Sequence, residues 1–93
     1  MSVFLVTYEL ASEMNRSEVV RMLHGFPHWI RLSHNVYAVT GTDDPSEIYN
    51  VLSQALDMYD RVYIVAVQKP FAGIGVNRVE AWLDKNLPSS NLR

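Results

Sequence analysis

Two runs in this chain are apolar on both of the faces that a strand presents. In Val3–Leu10 (VFLVTYEL), Phe4, Val6, Tyr8 and Leu10 fall on one side, and Val3, Leu5, Thr7 and Glu9 on the other. Val62–Val67 (VYIVAV) is apolar at both parities throughout. Side chains alternate across a strand, and branched and aromatic residues favour a pleated, packed surface. Runs this short do not make free-standing amphipathic helices. Each therefore reads as a strand covered from above and below. The remainder of the chain has to supply apolar cover for two faces of one sheet.

Between these runs the pattern changes period. Ala11–Asn15 is a polar connection, and Asn15-Arg16-Ser17-Glu18 has the form of a helix cap with an acidic residue three positions on. Val19, Met22, Leu23 and Phe26 follow at helical spacing until Gly25 and Pro27 end the element. His28–Leu32 and Val36–Thr40 are strand-like and are joined by Ser33-His34-Asn35, which predicts a hairpin. Asp44-Pro45-Ser46-Glu47 combines a cap, a proline at the first helical position and a completed capping box. Ile48, Val51, Leu52, Ala55 and Leu56 then form a broad stripe, predicting a helix from about Pro45 to Met58. Pro70–Gly75 is a turn segment. Asn77-Arg78-Val79-Glu80 repeats the capping form, and Val79, Trp82, Leu83 and Leu87 make a stripe stopped by Pro88.

The order is strand, helix, strand, strand, helix, strand, and then a C-terminal helix. Right-handed crossovers place the first two helices on one face of a four-stranded antiparallel sheet. The fold class expected is α+β, the ferredoxin-like βαββαβ arrangement, as a single domain over residues 1–88 with a polar tail at 89–93. A C-terminal helix of this length, with one apolar stripe, covers part of the second face. Each apolar side chain left in water forfeits about 1.5–3 kcal/mol. A second copy of the chain, stacked sheet to sheet about a two-fold axis, is the expected remaining cover.

Composition narrows the possible chemistry. With no cysteine among 93 residues, disulfide scaffolds, thiolate metal sites and a cysteine nucleophile are excluded. The 48% hydrophobic content supports a real core, and the 19% charged content is low for a surface that is wholly solvated. A formal net charge of −2 provides no strongly basic field for nucleic acid. No apolar run approaches a membrane span. The opening Met1-Ser2-Val3-Phe4-Leu5 lacks the basic segment and cleavage site of a secretory leader, so a cytoplasmic location is expected.

Few residues carry candidate chemistry. Glu9 ends the central first strand, where its carboxylate can reach a cleft or a dimer axis. Two copies across a two-fold could supply the sparse carboxylates with which Mg²⁺ is held. Arg16 and Arg31 are the candidate phosphate contacts; Trp29 beside Arg31 could stack on bases, but Trp29 and Trp82 are expected as packing residues rather than stacking platforms. Asp43, Asp44, Glu47, Asp57 and Asp60 form an acidic stretch that opposes backbone tracking. His24 and His28 would share a helix face, but Gly25 and Pro27 break that helix, so structural histidines are expected. The serines lack the glycine context of a nucleophile elbow, and Gly73-Ile74-Gly75 is a turn rather than a dinucleotide fingerprint.

Several stretches resemble a known group. They are the opening FLVTYEL, the hairpin after a Trp-containing segment, and the strand Asp-Arg-Val-Tyr-Ile-Val-Ala-Val. The ending Phe-Ala-Gly-Ile-Gly…Glu-Ala-Trp-Leu-Asp-Lys-Asn-Leu completes the set. Together they are similar to SinR-like bacterial proteins, which resemble the small CRISPR-associated ferredoxin-like adaptation protein of endoribonuclease type. The resemblance implies a homodimer with stacked sheets. It also implies a metal held by the residue after the Tyr that ends the first strand, an aspartate in the CRISPR-associated proteins. Here Tyr8 is followed by Glu9, which sets the charge one methylene further out. The CRISPR-associated proteins end in a fifth strand, whereas this chain ends in a predicted helix. The expectation is thus a homodimeric interaction module that contacts nucleic acid or protein without catalysis. Its alternative is a Mg²⁺-dependent endonuclease with Glu9 paired across the axis.

Overall fold

A computed structural model of the chain describes residues 1–90. β1 spans Val3–Glu9, α1 Arg16–Leu23, β2 Trp29–Ser33, β3 Val36–Val39, α2 Pro45–Leu52, β4 Arg61–Val67 and α3 Asn77–Asn86. The strands form one antiparallel sheet in the order β2-β3-β1-β4, with β1 central beside β4. With α1 and α2 on one face, this is the ferredoxin-like α+β arrangement that the element order predicts. Residues 91–93 of the expected tail lie outside the described residues. The part that is described is tied down: Lys69 donates its amide to the Pro88 carbonyl at 2.8 Å, and Gln68 Nε2 donates to the Ser90 hydroxyl at 3.4 Å.

The helix-bearing face holds the main core. Phe4, Val6 and Tyr8 of β1 and Tyr37 and Val39 of β3 pack against Val19 and Leu23 of α1 and Ile48 and Leu52 of α2. The opposite face holds a smaller cluster. There Trp82 and Leu83 of α3 and the following Leu87 lie over Val3 and Ala38, with Leu5, Ile30, Leu32 and Val67 around them. Cover stops short of the β4 side, where Tyr63 is 69% and Val65 53% exposed. The expectation of a β4 covered on both faces is therefore corrected for the single chain. β4 is an edge strand, and only Val62 and Ile64 pack against the main core.

Local chemistry moves several boundaries. α2 stops at Leu52, a 3-10 turn carries on over Ser53–Ala55, and Leu56 is extended, so Met58 lies outside the helix. The aspartates that follow offer the backbone competing partners. Asp57 accepts the Tyr59 amide at 2.9 Å, and Asp60 accepts the Asp57 amide at 2.8 Å. Before α1, a 3-10 turn at Glu13–Asn15 is capped by Ser12, and Asn15 makes no capping bond. Asp44 caps α2 through the Ser46 amide, but Thr42 takes the other half of the box. Its hydroxyl accepts the Asp44 amide at 3.0 Å and donates to Glu47 at 2.6 Å. Asn77 lies inside α3, whose capping position is Val76. In the β2–β3 hairpin the pairing shifts between Arg31 and Ser33. Among the described residues none other than glycine has positive φ, so a primed two-residue turn is not used and the irregularity falls in the strand instead.

Candidate functional site

Antiparallel pairing of β1 with β4 sets Glu9 opposite Arg61 and Thr7 opposite Tyr63, while pairing with β3 sets Thr7 opposite Val36. These positions share the face that α3 leaves open. With Tyr8 and Asn35 they line a groove of about 330 Å³ at the end of β1. Glu9 and Arg61 are exposed, and neither belongs to an ion pair among the described residues. The site thus offers an unpaired carboxylate and an unpaired guanidinium side by side, next to an exposed phenol.

The two candidate arginines lie elsewhere. Tyr8 alternates with Glu9 and points to the helix-bearing side, and the Arg16 guanidinium sits 5.6 Å from the centre of its ring. Arg16 donates to Glu13 at 2.5 and 3.1 Å, to the His34 carbonyl at 2.9 Å and to Asn35 Oδ1 at 2.9 Å. It therefore braces α1 against the β2–β3 hairpin. The hydrogen bond from Arg16 holds the Glu13 carboxyl below the usual carboxylate range. Burial pushes the Tyr8 phenol up, with Tyr37 adding to the rise and Arg16 opposing it, while the Tyr8 hydroxyl donates to the His34 carbonyl at 3.2 Å. Arg31 donates to the Ser33 carbonyl at 3.2 Å and lies 3.0 Å from His34 Nδ1. Arg16 and Arg31 therefore meet around His34, and the sheet separates Arg16 from Glu9.

Trp29, Trp82 and His24 are engaged in packing contacts. His24 stacks on Trp29 at 3.8 Å with planes 7° apart, and its Nε2 lies 3.2 Å from the Tyr37 hydroxyl. Trp82 packs in the α3 cluster. Arg61, Tyr63 and Asn35 entered the groove without a sequence signal, because which residues face Glu9 depends on strand register. Among the described residues Glu9 is the one carboxylate lining the groove. Among the described residues no group of three His, Cys, Asp or Glu could hold a metal ion. A guanidinium directly opposite the one carboxylate also raises the cost of placing a cation there. The residues of one chain do not fit Mg²⁺, and a second carboxylate would have to come from another copy.

No family model matches the chain, and no curated protein matches it. The fold is similar to that in the crystal structure of a hypothetical protein from Thermus thermophilus. The TM-score is 0.68 at 17% sequence identity, over 81% of this chain and 92% of that one. At that identity the likeness is one of fold. No helix among the described residues is long and apolar enough to cross a membrane.

Proposed function

We propose that this chain is a homodimeric ferredoxin-like interaction module of the SinR-like type, without catalytic activity of its own. The observation that carries this is the open strip of Tyr63 and Val65 beside the free Glu9 and Arg61. Apolar surface of this kind gains from burial. Adjacent opposite charges also make the strip self-complementary, because a two-fold axis can set the carboxylate of one copy against the guanidinium of the other. The low charged fraction of 19% agrees with a covered surface. Sedimentation of the purified chain across 1–100 µM (roughly the range in which such association is measured) should give twice the chain mass. A single-chain mass throughout would overturn the proposal.

The alternative is a Mg²⁺-dependent endonuclease built on paired Glu9 carboxylates, and it rests on Glu9 being exposed at the groove and free of an ion pair. It needs the two Glu9 side chains to meet. Nucleic acid would also have to reach them without help from Arg16, which is engaged on the other side of the sheet. Incubation of labelled RNA and DNA with protein and Mg²⁺ separates the two proposals. No cleavage by the parent chain is expected; cleavage that Glu9→Gln abolishes would establish the nuclease.

A further inference from the structure

The tip of the β2–β3 hairpin brings together Arg16, Arg31 and His34, and the two guanidinium groups are used differently. Arg16 is committed. Its Nε and Nη2 donate to the Glu13 carboxylate, Nη1 donates to the His34 carbonyl, and Nη2 also donates to Asn35 Oδ1. Arg31 is exposed and is anchored along one side only. Its Nε donates to the Ser33 carbonyl at 3.2 Å, and its Nη2 lies 3.0 Å from His34 Nδ1. A guanidinium only donates, so Nδ1 of His34 is the acceptor and the proton of the neutral imidazole sits on Nε2. The end-on fork of Arg31, formed by Nη1 and the second N–H of Nη2, has no partner among the described residues. The turn that carries it is held in place. The His34 carbonyl also accepts from the Tyr8 hydroxyl at 3.2 Å, and the Tyr8 amide donates to the Asn35 carbonyl at 3.0 Å.

We infer that Arg31 and His34 form a proton-linked binding site for a phosphate monoester. The free fork of Arg31 matches two phosphate oxygens bidentately. A third oxygen remains for the imidazole, which a carboxylate ligand would lack. While His34 is neutral, Nδ1 accepts from Arg31 and the ring adds no charge. Once the ring is protonated, Nδ1 is a donor, the contact with Nη2 is lost, and two cations face each other. A dianion between them relieves that repulsion, so ligand binding and protonation of His34 favour one another. The charged and titratable groups around His34 are Arg31 of β2, Arg16 of α1, Tyr8 of β1 and Glu13 of the 3-10 turn. Glu13 is already bonded twice to Arg16. The net charge of −2 and the acidic residues from Asp43 to Asp60 oppose a tracked polyanion, which favours a terminal phosphate over a backbone one. The site is separate from the proposed dimer contact. Arg31 shares the helix-bearing face with Trp29, and β2 and β4 are the opposite edges of the sheet.

Sulfate is the first probe, because it stays a dianion where histidine changes charge, between about pH 5 and 8, whereas a phosphate monoester itself titrates near about pH 6. Proton–nitrogen correlation spectra of the full chain at about pH 8 should show His34 as the Nε2–H tautomer. Sulfate added at constant ionic strength should shift Ser33, His34 and Asn35 saturably, with affinity rising about fivefold between about pH 8 and about pH 5.5. His34→Gln should abolish that rise. Arg31→Lys, which keeps the charge without the fork, should weaken binding by about tenfold. Methyl phosphate should displace sulfate, and a short oligonucleotide without a terminal phosphate should not. The other tautomer, equal shifts with chloride, or an Arg31→Lys chain that binds like the parent would overturn the site. An affinity unmoved by pH would overturn its proton link, and displacement by the oligonucleotide as strong as by methyl phosphate would overturn the monoester. Arg31→Lys should sediment like the parent, so each of these results is read independently of the homodimer.

Discussion

Gly41 has φ of 121°, and a Cβ placed there would lie 2.5 Å from Cδ of Pro27. The strained backbone and the close approach act together, so Gly41→Ala should cost about 1–3 kcal/mol in urea unfolding. Arg16 acts through charge-assisted bonds. Because its side chain is only 17% exposed and it ties α1 to the hairpin, Arg16→Ala should cost about 1–2 kcal/mol in the same assay. Asp60 accepts the amides of Asp57 and Ala11, both at 2.8 Å, joining the exit of β1 to the turn before β4. Those backbone bonds hold its carboxyl below the ordinary range. A carboxyl lowered in the folded state stabilises above its unfolded pKa, and that contribution is lost as pH falls through the folded value. Stability should therefore drop as pH is lowered from about 5 towards 2, and Asp60→Asn should flatten that slope in urea midpoints measured against pH.

The two faces of the sheet answer differently when their elements are cut back. Leu52 of α2 is fully buried in the main cluster, so Leu52→Ala should cost about 2–5 kcal/mol and destabilise the whole sheet. Trp82 is half-buried over the smaller cluster. Trp82→Ala should cost about 3 kcal/mol in guanidinium unfolding. Hydrogen exchange would show the loss in α3 and β2, while α1 and α2 keep their protection. Boundaries that depended on a side-chain cap were legible only where the capping residue adjoins the helix itself. Asp44 holds its position at α2, but Ser12 takes over the start before α1 through a turn that spacing does not reveal.

At the scale of the molecule, one face of the sheet is covered while the other is half covered. That asymmetry is largest at β4, an edge strand, which explains why the double-sided pattern of Val62–Val67 fails as a forecast of burial within one chain. The pattern records a surface suited to cover, and the fold of a single copy does not provide it. Glu9 stands next to that surface with Arg61 rather than with another carboxylate. That neighbour raises the cost of placing a cation beside Glu9. Substituting Val65→Lys at the exposed edge should leave the single chain folded by circular dichroism and reduce the sedimenting mass to one chain.

Element order and the fold class were determined by the sequence alone, because period, capping chemistry and the handedness of crossovers are local properties of consecutive residues. The division of apolar residues into a main core and a minor one was half determined, since parity sorts side chains to faces without saying how far a helix reaches. Only the tertiary structure decided which residues meet. Strand register put Arg61, not Arg16, beside Glu9, and packing on the hairpin committed Arg16 to His34 and Asn35. Register is set by contacts between segments far apart in the chain, and no spacing along one segment encodes it.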